Sequence, residues 1–400
     1  MEYDLVISGG HVIDPAQGID APRAVGIKDG RVKRLSQGPI DGEALEYIDA
    51  RGAYVIPGLI DFHTHCYWGG TPLGVNADKV GPASGVTTWV DTGSAGSANF
   101  PGFYHHVIEA SRVRIFPFLH ISHIGLAQSE GLYLSLGELF DFRLLNFHEL
   151  LRIGTAYREQ ISGIKVRASI NATGPNSIDA LRFAREAANA LDTRLMVHVG
   201  PPPPFIDDVL PFLAEGDILT HCFTPYHGGI VDHGLEVKDS VWRARERGVL
   251  FDVGHGSSSF AFEVAKSSLE QGFAPDFISS DIHSKNIAGP VFDLPTTMSK
   301  FLALGMPLYD VIARCTQHPA IAIGRPDLGG LFEGELADVT ILDLDESPQS
   351  FQDVQGTTVK GSYRLRARHT LVAGRLLEPL HDGRVEASGS RPIPAPRGFQ

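Results

Sequence analysis

Cysteine is scarce in these 400 residues: Cys66, Cys222 and Cys315 are the only three, an odd number without CxxC spacing. That excludes a disulfide framework and fits a reducing compartment. No apolar run reaches the length a bilayer span requires, and the opening MEYDLVISGG carries acids where a signal peptide carries a basic region. A cytoplasmic protein that neither crosses nor inserts into a membrane is expected. Basic residues are outnumbered, 34 to 47, and the formal net charge of -13 argues against nucleic acid or an anionic membrane surface as the main partner. No phosphate-cradling glycine fingerprint follows the first strand-like segment.

With 43% hydrophobic and 20% charged residues, the chain can bury one large core and a smaller satellite. Residues 1–53 form short alternating segments, Tyr3–Ser8, Ala24–Lys28, Arg31–Leu35 and Glu46–Ala50, broken by Gly9-Gly10, Asp29-Gly30 and Asp41-Gly42. Such breaks are hairpin signals. The same texture returns after Asp327 in GELADVTILDLD and YRLRARHTLVAGRLLE. A β-sandwich built from 1–53 and 327–380 is expected, with 381–400 as a tail.

Between these ends, eight apolar segments recur at helix-length intervals: Val55–His65, Val86–Ser94, Arg114–Ser122, Ser162–Ser169, Leu195–Gly200, Asp217–Phe223, Val249–Gly256 and Asp276–His283. One interval, SIDALRFAREAANAL, reads as a helix with Ser177 as its cap. The pattern fits a (β/α)8 TIM-type barrel over 54–326, in which catalytic groups sit at the C-terminal strand ends. A doubly wound open sheet is the alternative.

The strand ends carry the chemistry. In VIPGLIDFHTHCYW, His63 and His65 lie two apart and so face one side of an extended chain, giving a divalent metal two imidazoles. Four further ends, GIKVRAS, LMVHVG, ILTHCF and ISSDIHS, add Lys165, His198, His221 and Asp281. Singly, each suits a structural histidine, a helix cap or an ion pair. Six such groups at one end of a barrel make a metal centre the more economical account.

This order, HxH then Lys, His, His and Asp behind a PGLIDFHTH opening, resembles the amidohydrolase superfamily of metal-dependent hydrolases, in its binuclear subtype, along about residues 1–380. The resemblance implies that His63, His65 and Asp281 hold one metal and His198 and His221 the other. It also implies that Lys165, carboxylated by carbon dioxide, bridges them together with a hydroxide. Two divalent ions, the carbamate, Asp281 and the hydroxide leave a site near +1, suited to a small anionic substrate. Zinc fits the donors, with manganese or cobalt as alternatives. The implied reaction is attack of the bridging hydroxide on an ester or amide carbonyl, with Asp281 as general base and then acid.

Dihydroorotases usually carry an arginine two residues past the second histidine of HxH, where this chain has Tyr67. Hydantoinases share the ligand set but are mostly longer. Deaminases usually place an acid near the fifth strand, which here runs into Pro201–Pro204. GIKVRAS, HCFTPYHGG, FDVGHGSSSF and SSDIHSKN are most similar to the deacetylase branch, whose members act on acylated small acids such as acetylated α-hydroxy acids and N-acyl amino acids. Arg167 is the first candidate for holding the acid, although an ion pair with a neighbouring acid suits it equally. His283, Lys285, Asn286, His255 and Tyr67 are further substrate-contact candidates. His227 and His233 fall in a Gly-rich loop that fits a lid or a solvated connection. A cyclic amidohydrolase is the runner-up, and an inactive scaffold is disfavoured by the complete ligand set. A homo-oligomer is compatible with the sequence.

Overall fold

The structure is a computed structural model describing residues 1–127 and 137–379; the expected tail at 381–400 lies outside the described residues. Seven parallel strands follow one another in chain order around a barrel: Leu59–Thr64, Val86–Gly96, Arg114–His120, Gly163–Ala168, Arg194–Val199, Ile218–Thr220 and Leu250–Asp252. Nearly every residue in them is buried, because one face fills the barrel and the other lies under the helices, so the strands read as apolar runs.

The eighth segment, 276–283, closes the ring through single parallel bridges, Asp252 to Phe277 and Thr64 to Ile282. Backbone bonds from Asp281 N to His63 O (2.7 Å) and from His65 N to Ile282 O (3.1 Å) tie it to the first strand. Ser280 helps to hold it there: its amide and hydroxyl both donate to the buried carboxylate of Asp61. Asp281 has a left-handed backbone, φ 48°, which ends the regular ladder where the chain turns into the site.

The expected first strand, Val55–His65, is two strands. Tyr54–Pro57 belongs to a different, six-stranded sheet, and only Leu59–Thr64 enters the barrel. Gly58 makes the break, because a Cβ there would lie 2.2 Å from Thr87 Oγ1, so only glycine lets the two layers approach. That six-stranded sheet mixes the chain ends, in the order Arg375–Leu376, Arg364–Val372, Val339–Asp345, Tyr54–Pro57, His11–Asp14, Ile19–Pro22. A four-stranded sheet from 3–49 packs beside it around Leu5, Val25, Ile27, Val339 and Leu371. The molecule is thus a (β/α)8 barrel with a β unit formed from both termini.

The helix after the fourth barrel strand spans Ser177–Ala190 and buries Ala180, Leu181, Ala184, Ala187 and Ala188, a stripe at helical spacing that packs against the fourth strand. Ser177 is its first residue rather than its cap: its hydroxyl bonds Gly174 O and Thr173 Oγ1, inside a preceding 3-10 turn. No described helix is long and apolar enough to cross a membrane.

Candidate metal centre

His63 and His65 leave the first strand on one side, as the two-residue period requires. His63 Nδ1 contacts Thr220 Oγ1 at 2.8 Å and Asp252 Oδ2 at 3.0 Å, so its Nε2 is turned toward Asp281 Oδ1 at 3.6 Å. His65 Nδ1 meets Ser94 Oγ at 3.0 Å and its Nε2 faces the same Oδ1 at 3.3 Å. The ligand atoms of His63, His65 and Asp281 lie within 4.8 Å of one another, a set that could hold a metal ion.

His198 and His221 complete the group, their rings 4.4 Å apart and His221 5.0 Å from His63. His221 has φ 70°, and its Nδ1 donates to Gly254 O at 2.7 Å, leaving Nε2 as the lone pair. Close backbone approach explains both glycines of VGHG. A Cβ at Gly254 would sit 2.7 Å from His221 Nδ1, and one at Gly256 2.5 Å from Asp281 Oδ2.

Burial keeps these imidazoles neutral. Desolvation lowers His65 to about 3 and His221 to about 4, while desolvation together with the neighbouring Lys165 and histidines drives His63 and His198 well below the ordinary range. Lys165 is fully enclosed, lowered to about 7 mainly by desolvation, and its Nζ finds a thioether, Met196 Sδ at 3.4 Å. An enclosed amine without an oxygen acceptor favours its uncharged form. Nε2 of His198 and Oδ1 of Asp281 are buried without a hydrogen-bond partner among the described residues. Buried polar atoms are rarely left unpaired. Neutral imidazoles and a carboxylate, two of whose atoms are left unpaired, suit a divalent cation held by His63, His65 and Asp281.

Residues 54–377 match the amidohydrolase family. The chain belongs to it. A deacetylase of Agrobacterium fabrum is 36% identical over 352 residues, covering 87% of this chain and 85% of the relative. Among solved structures, an adenine deaminase superposes with a TM-score of 0.86 at 32% identity, covering 94% of this chain and 99% of that one. A dihydroorotase superposes at 0.85 and 32%, covering 93% and 97%. This amidohydrolase is therefore a metal-dependent hydrolase.

A cavity of about 150 Å3 opens on the centre, lined by His63, His65, Lys165, His198, His221 and Asp281 together with Arg167, His283, Lys285, Leu73 and Ser257–Ser259. Arg167, His283 and Lys285 are thus brought to the site, and Arg167 also pairs with Glu138 at 2.6 Å. Three substrate-contact expectations are corrected. His255 is buried outside the cavity, stacked on Phe260 at 4.6 Å and bonded through Nε2 to Lys300 Nζ at 2.7 Å. Tyr67 stacks on Phe103 at 4.5 Å, donates to Asn99 O and does not line the cavity. Asn286 works from behind: Nδ2 donates to Asp281 O at 2.8 Å and Oδ1 accepts from His283 N at 2.9 Å.

Cys66 and Cys222 are buried and do not line the cavity. His227 and His233 line a separate surface cleft. The sequence reading missed Asp252, Ser94 and the serines 257–259. The serines and Asp252 stand in FDVGHGSSSF beside the seventh strand end, where polar residues following an apolar run were the available signal.

Proposed function

We propose that this hydrolase is a deacetylase acting on a small acylated carboxylic acid, such as an acetylated α-hydroxy acid or an N-acyl amino acid. The observation that carries the reading is that two cationic side chains, Arg167 and Lys285, line the same small cavity as the six candidate ligands. A substrate carboxylate and its acyl carbonyl can then be held at once. The likeness to the Agrobacterium deacetylase supports the reaction class.

The ligand assignment is part of the proposal. His63, His65 and Asp281 hold one divalent ion, His198 and His221 a second, zinc suiting the imidazole and oxygen donors best and manganese or cobalt being compatible. Lys165, carboxylated to a carbamate, would add an anionic oxygen donor to that set. Its neutral amine attacks the carbon of carbon dioxide, a C–N bond forms, one C=O electron pair moves to oxygen, and the amine proton leaves to solvent. The burial of Lys165, which lowers its amine to about 7 and so makes the neutral form accessible, supports this step.

When bound, the metal ions supply Lewis acidity that polarises the acyl carbonyl and lowers the pKa of water to about 7. The chain's residues do the rest. Asp281 takes a proton from the attacking water and returns it to the departing oxygen or nitrogen. Asn286 holds the Asp281 backbone, and Arg167 and Lys285 hold the substrate carboxylate so that the acyl group presents one face to Asp281. A carboxylic acid and the freed hydroxy or amino acid leave.

The test is elemental analysis of the purified protein coupled to hydrolysis of acetylated α-hydroxy acids, N-acetyl amino acids, dihydroorotate and hydantoins. Close to two metals per chain with turnover of the acetylated acids is expected. Turnover of a cyclic amide instead, the reading that likeness to the solved dihydroorotase favours, would keep the metal chemistry and overturn the substrate. No metal and no turnover after reconstitution with zinc and bicarbonate would overturn both.

A further inference from the structure

Arg167 lines the cavity and is held by a carboxylate that does not. Glu138 is buried, and its Oε1 accepts from Arg167 Nη1 at 2.6 Å. The other oxygen, Oε2, lies 3.3 Å from Nε2 of buried His120. Ser122 N donates to His120 Nδ1 at 2.9 Å, so Nδ1 carries no proton and the ring's N–H is Nε2, which meets Glu138 Oε2 as a close contact without the alignment of a hydrogen bond. His120 ends the third barrel strand, in register with Lys165 on the fourth. Glu138 arrives from outside the barrel, with its own N–H and that of Leu139 on Ala172 O. Two separate segments, those of Glu138 and His120, are therefore stacked behind a single side chain of the cavity wall.

We propose that Glu138, buried against His120 and tied by its backbone to Ala172, is a positioning residue that locks the Arg167 guanidinium for a substrate carboxylate and so sets the preference for acidic over neutral substrates. This inference rests on the proposed function, since it takes Arg167 as the group that holds the acid. An arginine one-fifth exposed beside an open cavity has many rotamers. A charge-assisted bond from a buried carboxylate removes that freedom before substrate arrives. Without it, the guanidinium must be ordered by the substrate itself, at the expense of affinity. Glu138 also cancels the charge of Arg167 while the site is empty, so the cation can stay at a buried wall without drawing in Asp281.

The test is the ratio of kcat/KM for an O-acetylated α-hydroxy acid to that for its methyl ester, which lacks the carboxylate charge. Arg167→Met is expected to lower this ratio about tenfold or more, the loss typical of a charged hydrogen bond. Glu138→Gln is expected to lower it similarly through KM, with kcat for the methyl ester and the metal content unchanged. In the Arg167→Met background, Glu138→Gln is expected to change nothing further, because its effect passes through the arginine. An unchanged ratio in Arg167→Met would overturn the carboxylate-holding role on which the proposed function depends. A lowered ratio in Arg167→Met with the wild-type ratio in Glu138→Gln would overturn the positioning role alone, as would an equal further loss in the double variant. If Glu138→Gln does not fold, Arg167→Lys serves instead. A lysine keeps the charge but lacks the fork that spans Glu138 and a substrate, so it should lower the ratio as Met does, and a wild-type ratio there would also overturn the role.

Discussion

Asp252 offers the sharpest perturbation of the centre because it touches the proposed metal set through His63 alone. Its carboxylate is wholly buried, and three donors converge on it: His63 Nδ1 at 3.0 Å, Thr220 Oγ1 at 2.6 Å and Ser279 Oγ at 2.5 Å. Removing it with Asp252→Ala leaves those donors unpaired, at about 1–3 kcal/mol each, so a loss on the order of several kcal/mol and a marked drop in melting temperature is expected. Asp252→Asn separates stability from metal chemistry. The amide oxygen can keep accepting from His63 and Thr220, and the Ser279 hydroxyl, which also accepts from Gly254 N at 2.9 Å, can rotate to accept from the amide nitrogen. What Asn removes is the negative charge that makes His63 a better donor. Loss of such an outer partner costs about 10–100-fold in metal affinity. The assay is zinc affinity by chelator competition beside thermal melting of the same samples. Wild-type zinc affinity in Asp252→Asn, with the fold intact, would refute the claim that Asp252 tunes a metal ligand.

Lys165→Ala should retain the fold while losing most bound metal, with partial rescue by short carboxylic acids; full metal content by elemental analysis would rule out a bridging role. Gly256→Ala places a Cβ 2.5 Å from Asp281 Oδ2 at φ 59°. The left-handed backbone alone costs about 1–2 kcal/mol, and displacement of Asp281 should cost kcat at least tenfold, which steady-state kinetics at matched metal content will show. In metal-free, bicarbonate-free protein, Lys165 and Lys300 are both lowered to about 7, chiefly by desolvation. The unfolded chain keeps those protons to near 10.5, so between pH 7 and about 9 it binds up to two more protons than the folded chain, and stability must rise with pH. Above that window the buried cysteines, whose thiols burial pushes up, oppose the trend. Chemical denaturation at pH 7 and 9 checks the sign, and Lys300→Met should remove about half the slope.

Asp252 also marks where reading along the chain stops. His63, His65, Lys165, His198, His221 and Asp281 were legible because each ends an apolar segment, and a parallel barrel brings every such end to one face. Asp252 ends the seventh strand too, but it hydrogen-bonds behind a candidate ligand and does not line the cavity. Nothing in a strand's own pattern separates those two fates. His255, Tyr67 and Asn286 fail for the same reason: each lies within a few residues of the site, and which way its side chain turns is set by partners distant in sequence, Lys300, Phe103 and the Asp281 backbone.

The sequence by itself determined the alternation of apolar strands and helices, and with it the barrel, the shared end at which six candidate ligands gather, and the acidic, disulfide-free character of the chain. These follow from local periodicity and composition, which each segment carries alone. The tertiary structure alone decided that Val55–His65 breaks at Gly58, where Thr87 leaves no room for a side chain. It decided that His221 and Asp281 take left-handed backbones. It also decided that Arg167 is seated on Glu138, which lies against His120. Those outcomes depend on close approach and on pairing between segments far apart in the chain, which burial and hydrogen-bond geometry fix only once the barrel has closed.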